Sequence, residues 1–378
     1  MGTVLFEAQT PLLLVSNMVM LLIIYYSLQP VFYHREALPS VRFYLGVGVI
    51  FLFCIFSFWI SDWFGYQREY IFIRQLEWYR EVTSLEPVYV WLILHCPDYL
   101  IFRLIIFGGA WLLVLLIFKH LNLDEDLSWF FFGVLFLPLF AYARVSLAVV
   151  MMLYGAVIIS KPFGGNPLYS YLIGGMFLVC SIFFHKSAAL GILVVLFSFI
   201  SKTTNKNAWF YLIIAFIVAA VVARVVIAMF LGGSLGADEA MSSNAMTAGQ
   251  RYMSRTEADS GMGALLGYTL ERTPYYLCAF LSFQIQSEYE TPSWISMMLK
   301  VDMYIVLLAT IFAVDLGANT SILFGRLLRF SLVPSAIVLA YAYQFDLFPK
   351  VVKITFFVGL FCVIYRLTYT LYNVILMS

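Results

Sequence analysis

The chain has 378 residues, 63% of them hydrophobic and only 11% charged, with a formal net charge of +1. Several apolar runs reach 18 residues or more, enough to cross a hydrocarbon core about 30 Å thick. The sequence therefore reads as an all-α polytopic membrane protein; the composition excludes a β-barrel, with its short alternating segments, and a nucleic-acid binder, with its basic domain.

In chain order the spans are predicted at 10–29, 41–60, 99–118, 128–143, 145–160, 168–184, 187–201, 208–231, 265–286, 296–314, 322–343 and 351–372, about twelve in all. No Lys or Arg precedes Arg35, so the first apolar run is expected to be a membrane helix and not a signal peptide. The spans near 130–200 are short and tightly joined. No internal repeat is evident, and 1–378 is expected to form one integral membrane domain. Cys54, Cys96, Cys180, Cys278 and Cys362 contain no CxxC pair and read as small apolar residues.

The short loops 32–42, 119–122, 160–166, 201–207 and 348–353 are basic and fall on one side, expected to be cytoplasmic, which turns both termini outward. Seven of the eight Lys lie at that side, Lys186 being the exception. Most Arg lie toward the other, where their planar forks suit an anionic ligand. Two outer segments are long. In 61–87, Tyr66, Tyr70, Ile73 and Leu76 fall at helical spacing, which predicts an interfacial helix. The segment 232–264 is rich in Gly, Ser and Ala and is predicted to be a mobile loop.

Chemistry-bearing residues collect on the outer side. His185 reads equally as an interfacial helix end and as a general base for a hydroxyl. Lys186 beside it either snorkels to headgroups or adds charge near an anion. Arg144 lies between two apolar spans, where a charge needs a partner or water. Arg326 and Arg329, three apart, share a helix face. Asp62 and Glu86 bracket the first outer segment, either as helix caps or as groups that orient sugar hydroxyls. Tyr66, with Trp63 and Tyr70, suits either sugar stacking or an aromatic belt. No GxxxxGK[ST], HExxH, DxD or GxSxG pattern occurs, so neither ATP, a metal nor a serine nucleophile has support.

The run Asp62-x3-Tyr66-x3-Tyr70, Glu86-Pro87, Arg144-x2-Leu147-Ala148 and Phe184-His185-x-Ser187-Ala188 resembles the EpsG family of bacterial polysaccharide polymerases, relatives of the Wzy O-antigen polymerases. The motif-level resemblance covers roughly 60–190, with Arg251-Tyr252 and Gly325-Arg326 as weaker echoes. One departure stands out: FSFWISD (56–62) lacks the Arg that the family often places before this Asp, which leaves open the Arg that engages the donor.

The resemblance implies a fold like that of the GT-C membrane glycosyltransferases. It also implies transfer of an oligosaccharide from undecaprenyl diphosphate to a hydroxyl of the next lipid-linked unit, at the outer face of the bacterial inner membrane. No cofactor or metal is expected, and a separate chain-length regulator is suggested by analogy. His185, Asp62 and Glu86 are the expected catalytic groups. Arg144, Arg326, Arg329, Arg251, Tyr252, Lys186 and Tyr66 are expected to bind substrate. The competing readings are a lipid-linked oligosaccharide flippase, a sugar acyltransferase and a non-catalytic scaffold. The flippase would want a central cavity and a repeat; the acyltransferase would want cytoplasmic donor residues.

Overall fold

A computed structural model describes residues 62–78, 85–123, 143–164, 167–200, 262–313 and 328–362. Every regular element among them is helical. The helices are α1 (Asp62–Gln75), α2 (Pro87–His95), α3 (Tyr99–Leu121), α4 (Ala143–Ser160), α5 (Pro167–Phe184), α6 (Ala188–Ile200), α7 (Met262–Glu288), α8 (Ser293–Ala313), α9 (Leu332–Gln344) and α10 (349–362). Among the described residues, three stretches are long and apolar enough to cross a membrane: Tyr99–Leu121, Pro167–Phe184 and Ser293–Thr310. The predicted spans 10–29, 41–60 and 208–231 lie outside the described residues, as do most of 128–143 and residues 232–261 of the predicted loop 232–264, whose last three residues begin α7. The predicted helix in 61–87 is present as α1, with Tyr70 and Ile73 buried.

Pattern explains the layering. The exposed face of α5 is apolar, with Leu168, Leu172, Met176 and Val179 all more than half exposed. Its buried face carries Ser170, Gly174, Leu178 and Ser181. A helix whose outside is greasier than its inside faces lipid and packs through small residues. The central helix is α4: every residue from Met152 to Ile158 other than Gly155 is at most 9% exposed. Neighbours therefore surround it, and they are α3, α5, α6, α8 and the 3-10 turn Arg329–Ser331. On the other side α8 packs against α6, α7 and α9.

Two polar features hold this arrangement. Where α4 crosses α5, a Cβ on Gly174 would lie 2.8 Å from the Gly155 carbonyl, and one on Gly155 would lie 2.6 Å from the Gly174 carbonyl. Only hydrogen fits at either position. Across α7, α8 and α9, the fully buried Asp302 accepts hydrogen bonds from Ser282 (3.0 Å) and Ser335 (2.6 Å). Inside α3 the residues Leu104–Gly108 form a π-helical turn. Arg103, just before it, is buried with its guanidinium 4.6 Å from the Phe107 ring centre.

The bundle has two chemically distinct ends. At one end the Lys161 ammonium donates to the His120 carbonyl (2.7 Å) and the His120 ring donates to the Lys161 carbonyl (2.5 Å). Lys161 also lies over the Trp294 ring at 5.3 Å, which brings the end of α4 to the start of α8. The start of α4, with Arg144, lies at the opposite end.

The α4–α5 crossing gives a direct test. Gly174→Ala should lower the thermal midpoint of the detergent-purified chain by the equivalent of about 1–3 kcal/mol, as overpacking does. Gly175→Ala, with nothing within 4 Å of the new Cβ, should stay within about 0.5 kcal/mol of wild type.

Candidate functional site

The site forms where four segments meet at the Arg144 end of α4. Helix α1 supplies Glu69. Pro87 fixes the backbone at the start of α2, and Glu86 occupies the N-cap position with extended φ −71° and ψ 136°. An N-cap carboxylate ordinarily accepts from its own helix. Glu86 makes no such side-chain bond. Its carboxylate instead reaches across the chain: Oε1 accepts the Lys186 backbone N–H at 3.2 Å, and Oε2 lies 3.8 Å from Arg144 Nη1. Glu69 Oε1 lies 3.8 Å from the same Nη1. The Arg144 guanidinium also stands 5.9 Å from the Tyr89 ring centre.

One cation thus faces two carboxylates, with Tyr66 and Tyr89 close enough to act on its charge. The contacts are looser than hydrogen bonds. Glu86 Oε2, Arg144 Nε and the Tyr89 hydroxyl are buried and have no hydrogen-bond partner among the described residues. Buried polar atoms without partners are costly, by about 1–3 kcal/mol each. These three, one of them in the guanidinium itself, make the cluster a candidate site for a polar ligand. Burial pushes the Glu69 carboxyl up from its usual range; Arg144 pulls it down and Glu86 pushes it further up.

The α5–α6 turn joins the cluster through the Lys186 N–H held by Glu86. His185 follows the last residue of α5, and its backbone N–H donates to the Ser181 carbonyl at 3.0 Å. The Ser187 backbone N–H donates to His185 Nδ1 at 3.2 Å, and the Ser187 hydroxyl lies 2.5 Å from the same atom. A backbone N–H can only donate, so Nδ1 accepts and the neutral ring carries its proton on Nε2.

Of the residues singled out in the sequence, Glu86, Arg144, His185, Lys186 and Tyr66 thus belong to the segments that meet here. Asp62 begins α1, and its side chain lies outside the described residues. Arg329 lies on the 3-10 turn Arg329–Ser331, which packs against α4 and α8. Arg251, Tyr252 and Arg326 lie outside the described residues.

Glu69 escaped the sequence reading. Its signal was present: it is three residues after Tyr66 and four before Ile73, a carboxylate on the buried stripe of α1. The short helix α2 was also missed, since its nine residues fall below any spanning length. Among the described residues no group of three or more His, Cys, Asp or Glu could hold a metal ion.

The fold and site define a helical membrane protein with an arginine–dicarboxylate cluster at one end of its bundle. The chain belongs to the EpsG family, whose model matches residues 41–377. Proteins of this family are Wzy-type polysaccharide polymerase-like, which implies a glycosyltransferase-like activity on a lipid-linked oligosaccharide. No curated protein and no solved structure matches the chain.

The Glu86 link is testable without substrate. Glu86→Ala should raise amide hydrogen exchange in a peptide covering 181–190, because Lys186 loses its acceptor. Glu86→Gln keeps an Oε1 acceptor and should leave that exchange near wild type.

Proposed function

We propose that this chain polymerises oligosaccharide repeat units carried on undecaprenyl diphosphate, at the outer face of a bacterial inner membrane. The growing oligosaccharide passes from its lipid diphosphate to a hydroxyl of the next lipid-linked unit. The acceptor oxygen attacks the anomeric carbon, the bond to the diphosphate breaks, and its electron pair leaves on the phosphate oxygen. The diphosphate linkage supplies the driving force, so the reaction needs neither ATP nor a metal. About twelve spans in a GT-C-like arrangement, with both termini outward, complete the reading. A separate chain-length regulator fits it by analogy.

The observation that carries this reading is the meeting of Glu69, Glu86, Arg144 and the His185–Lys186 turn at one end of the bundle, in a chain of a polymerase-like family. Both substrates are anchored in lipid, and a site at one end of the helices meets them at headgroup level. Arg144 already faces two carboxylates, so its charge is offset locally. That favours a role toward the acceptor sugar. Lys186, exposed beside Glu86, and Arg329 are then better suited to the departing diphosphate, together with Arg251 and Arg326. Tyr66, Tyr252 and Asp62 contact sugar. His185, with its proton on Nε2, orients a hydroxyl or steadies a phosphate oxygen.

The test uses the purified full chain and the lipid-linked oligosaccharide fraction extracted from producing cells that lack it. Wild type should yield a ladder of products on a gel. Arg144→Ala and His185→Ala, each monodisperse, should lose about 10²-fold or more in rate. Absence of a ladder from folded wild type, with transbilayer movement of the same lipid instead, would replace the polymerase by a flippase.

A further inference from the structure

The reaction requires a group that takes the proton of the acceptor hydroxyl, and four side chains at the site contend for it. Arg144 cannot, because its guanidinium stays protonated. In neutral His185, Nδ1 already accepts from Ser187, and Nε2 carries the proton. Glu86 is held in place: its side chain is 7% exposed, Oε1 accepts the Lys186 N–H, and Oε2 faces Arg144. Glu69 makes the same 3.8 Å contact with Arg144, too long to be a hydrogen bond, but its side chain is twice as open, at 14%, and it does not hold the Lys186 N–H.

We infer that Glu69 is the catalytic base that accepts the acceptor hydroxyl proton, held and tuned by Arg144 and Glu86. The inference rests on the polymerase reading and deepens it. In the step, the acceptor O–H bond breaks as the new bond to the anomeric carbon forms. The proton goes to a Glu69 carboxylate oxygen, and the electron pair of the broken glycosyl bond leaves with the lipid diphosphate.

Charge accounting favours this assignment. With both carboxylates ionised, Glu69, Glu86 and Arg144 sum to one negative charge. Uptake of one proton brings the cluster to neutrality, which a half-buried setting favours. Arg144 retains Glu86 as its ionised partner after Glu69 is protonated. The Tyr89 hydroxyl and the Nε of the Arg144 guanidinium, both without a hydrogen-bond partner among the described residues, can hold the acceptor sugar against Glu69. Groups that interact electrostatically with Glu69 are Glu86 at the N-cap of α2, Tyr89 from α2, Tyr99 from α3 and Arg144 from α4; Tyr66, on the same helix as Glu69, acts on Tyr89 and Arg144.

A base must be ionised to work, so the rate should fall as pH drops through the Glu69 pKa. Burial raises that pKa, so the acidic limb should lie above the ordinary glutamate range. The experiment measures initial polymerisation rate against pH with the full chain and the extracted lipid-linked fraction. Glu69→Gln, nearly isosteric, should lose about 10²–10⁴-fold in turnover and lose the acidic limb. Glu86→Gln removes a neighbouring negative charge and should move the limb to lower pH. His185→Gln should keep the limb where it is.

A wild-type ladder with an unchanged limb and rate in Glu69→Gln would overturn the assignment of Glu69 and leave the polymerase standing. A limb that survives Glu69→Gln but disappears in His185→Gln would hand the proton to His185. Should Glu69→Gln fail to purify as a monodisperse protein, Glu69→Asp decides: a slowed reaction with a displaced limb supports the base, and an unmoved limb at full rate overturns it. No ladder from wild type would remove the polymerase reading itself.

Discussion

The site end of the bundle depends on a single buried charge. Arg144 sits at the first turn of α4, beside a run in which nearly every side chain is buried. A guanidinium there needs counter-charge, and its own helix provides none. Glu69 and Glu86 provide it from two segments that precede it by more than fifty residues. The same requirement therefore draws α1 and the start of α2 onto the end of α4. Glu86 then extends the link to the α5–α6 turn through the Lys186 N–H. One buried charge thus links four pieces of chain.

Such an arrangement tolerates looseness only because the helices beneath it are fixed. The Gly155–Gly174 crossing sets the distance between α4 and α5 to what two backbones allow, and so fixes the turn at 185–187 relative to Arg144. Gly191 continues the theme on α6: a Cβ there would meet Met152 on α4 at 2.4 Å and Phe330 at 2.9 Å. Farther along, Asp302 ties α7, α8 and α9 through two serines, a lock made of hydrogen bonds where the Arg144 cluster is one of charges. The Asp302 carboxylate oxygens both have donors, whereas Glu86 Oε2 has none among the described residues. A satisfied polar group serves packing; an unsatisfied one is poised for a ligand.

The helices were legible because hydropathy and length are local properties. Helices α4, α5 and α6 coincide with the spans expected at 145–160, 168–184 and 187–201, with boundaries shifted by at most two residues, and α5 is long and apolar enough to cross a membrane. Among the described residues, His120 and Lys161 lie at one end of α4 and Arg144 with its carboxylates at the other. What stayed hidden was pairing. Glu86 before Pro87 looks like a cap in one dimension, and only the folded chain shows its carboxylate turned toward residue 186. Glu69 sits between Arg68 and Tyr70 in a stretch of mixed charges, where nothing local separates a solvated carboxylate from a buried one. Its position on the stripe through Tyr66 and Ile73 was the available clue.

The charge balance also bears on how such a site avoids defeating itself. A lone outer-facing arginine would hold a lipid diphosphate before and after transfer alike, and equal affinity for the two states accelerates nothing. Two carboxylates facing Arg144 weaken that attraction in the ground state. They do so most when both are ionised, before any proton has moved. Once a proton enters the cluster its net negative charge vanishes, and the surroundings become more hospitable to the negative charge growing on the departing phosphate. On the proposed reading, proton uptake at the acceptor and charge release at the donor reinforce each other through the 3.8 Å contacts of Arg144 with Glu69 and Glu86.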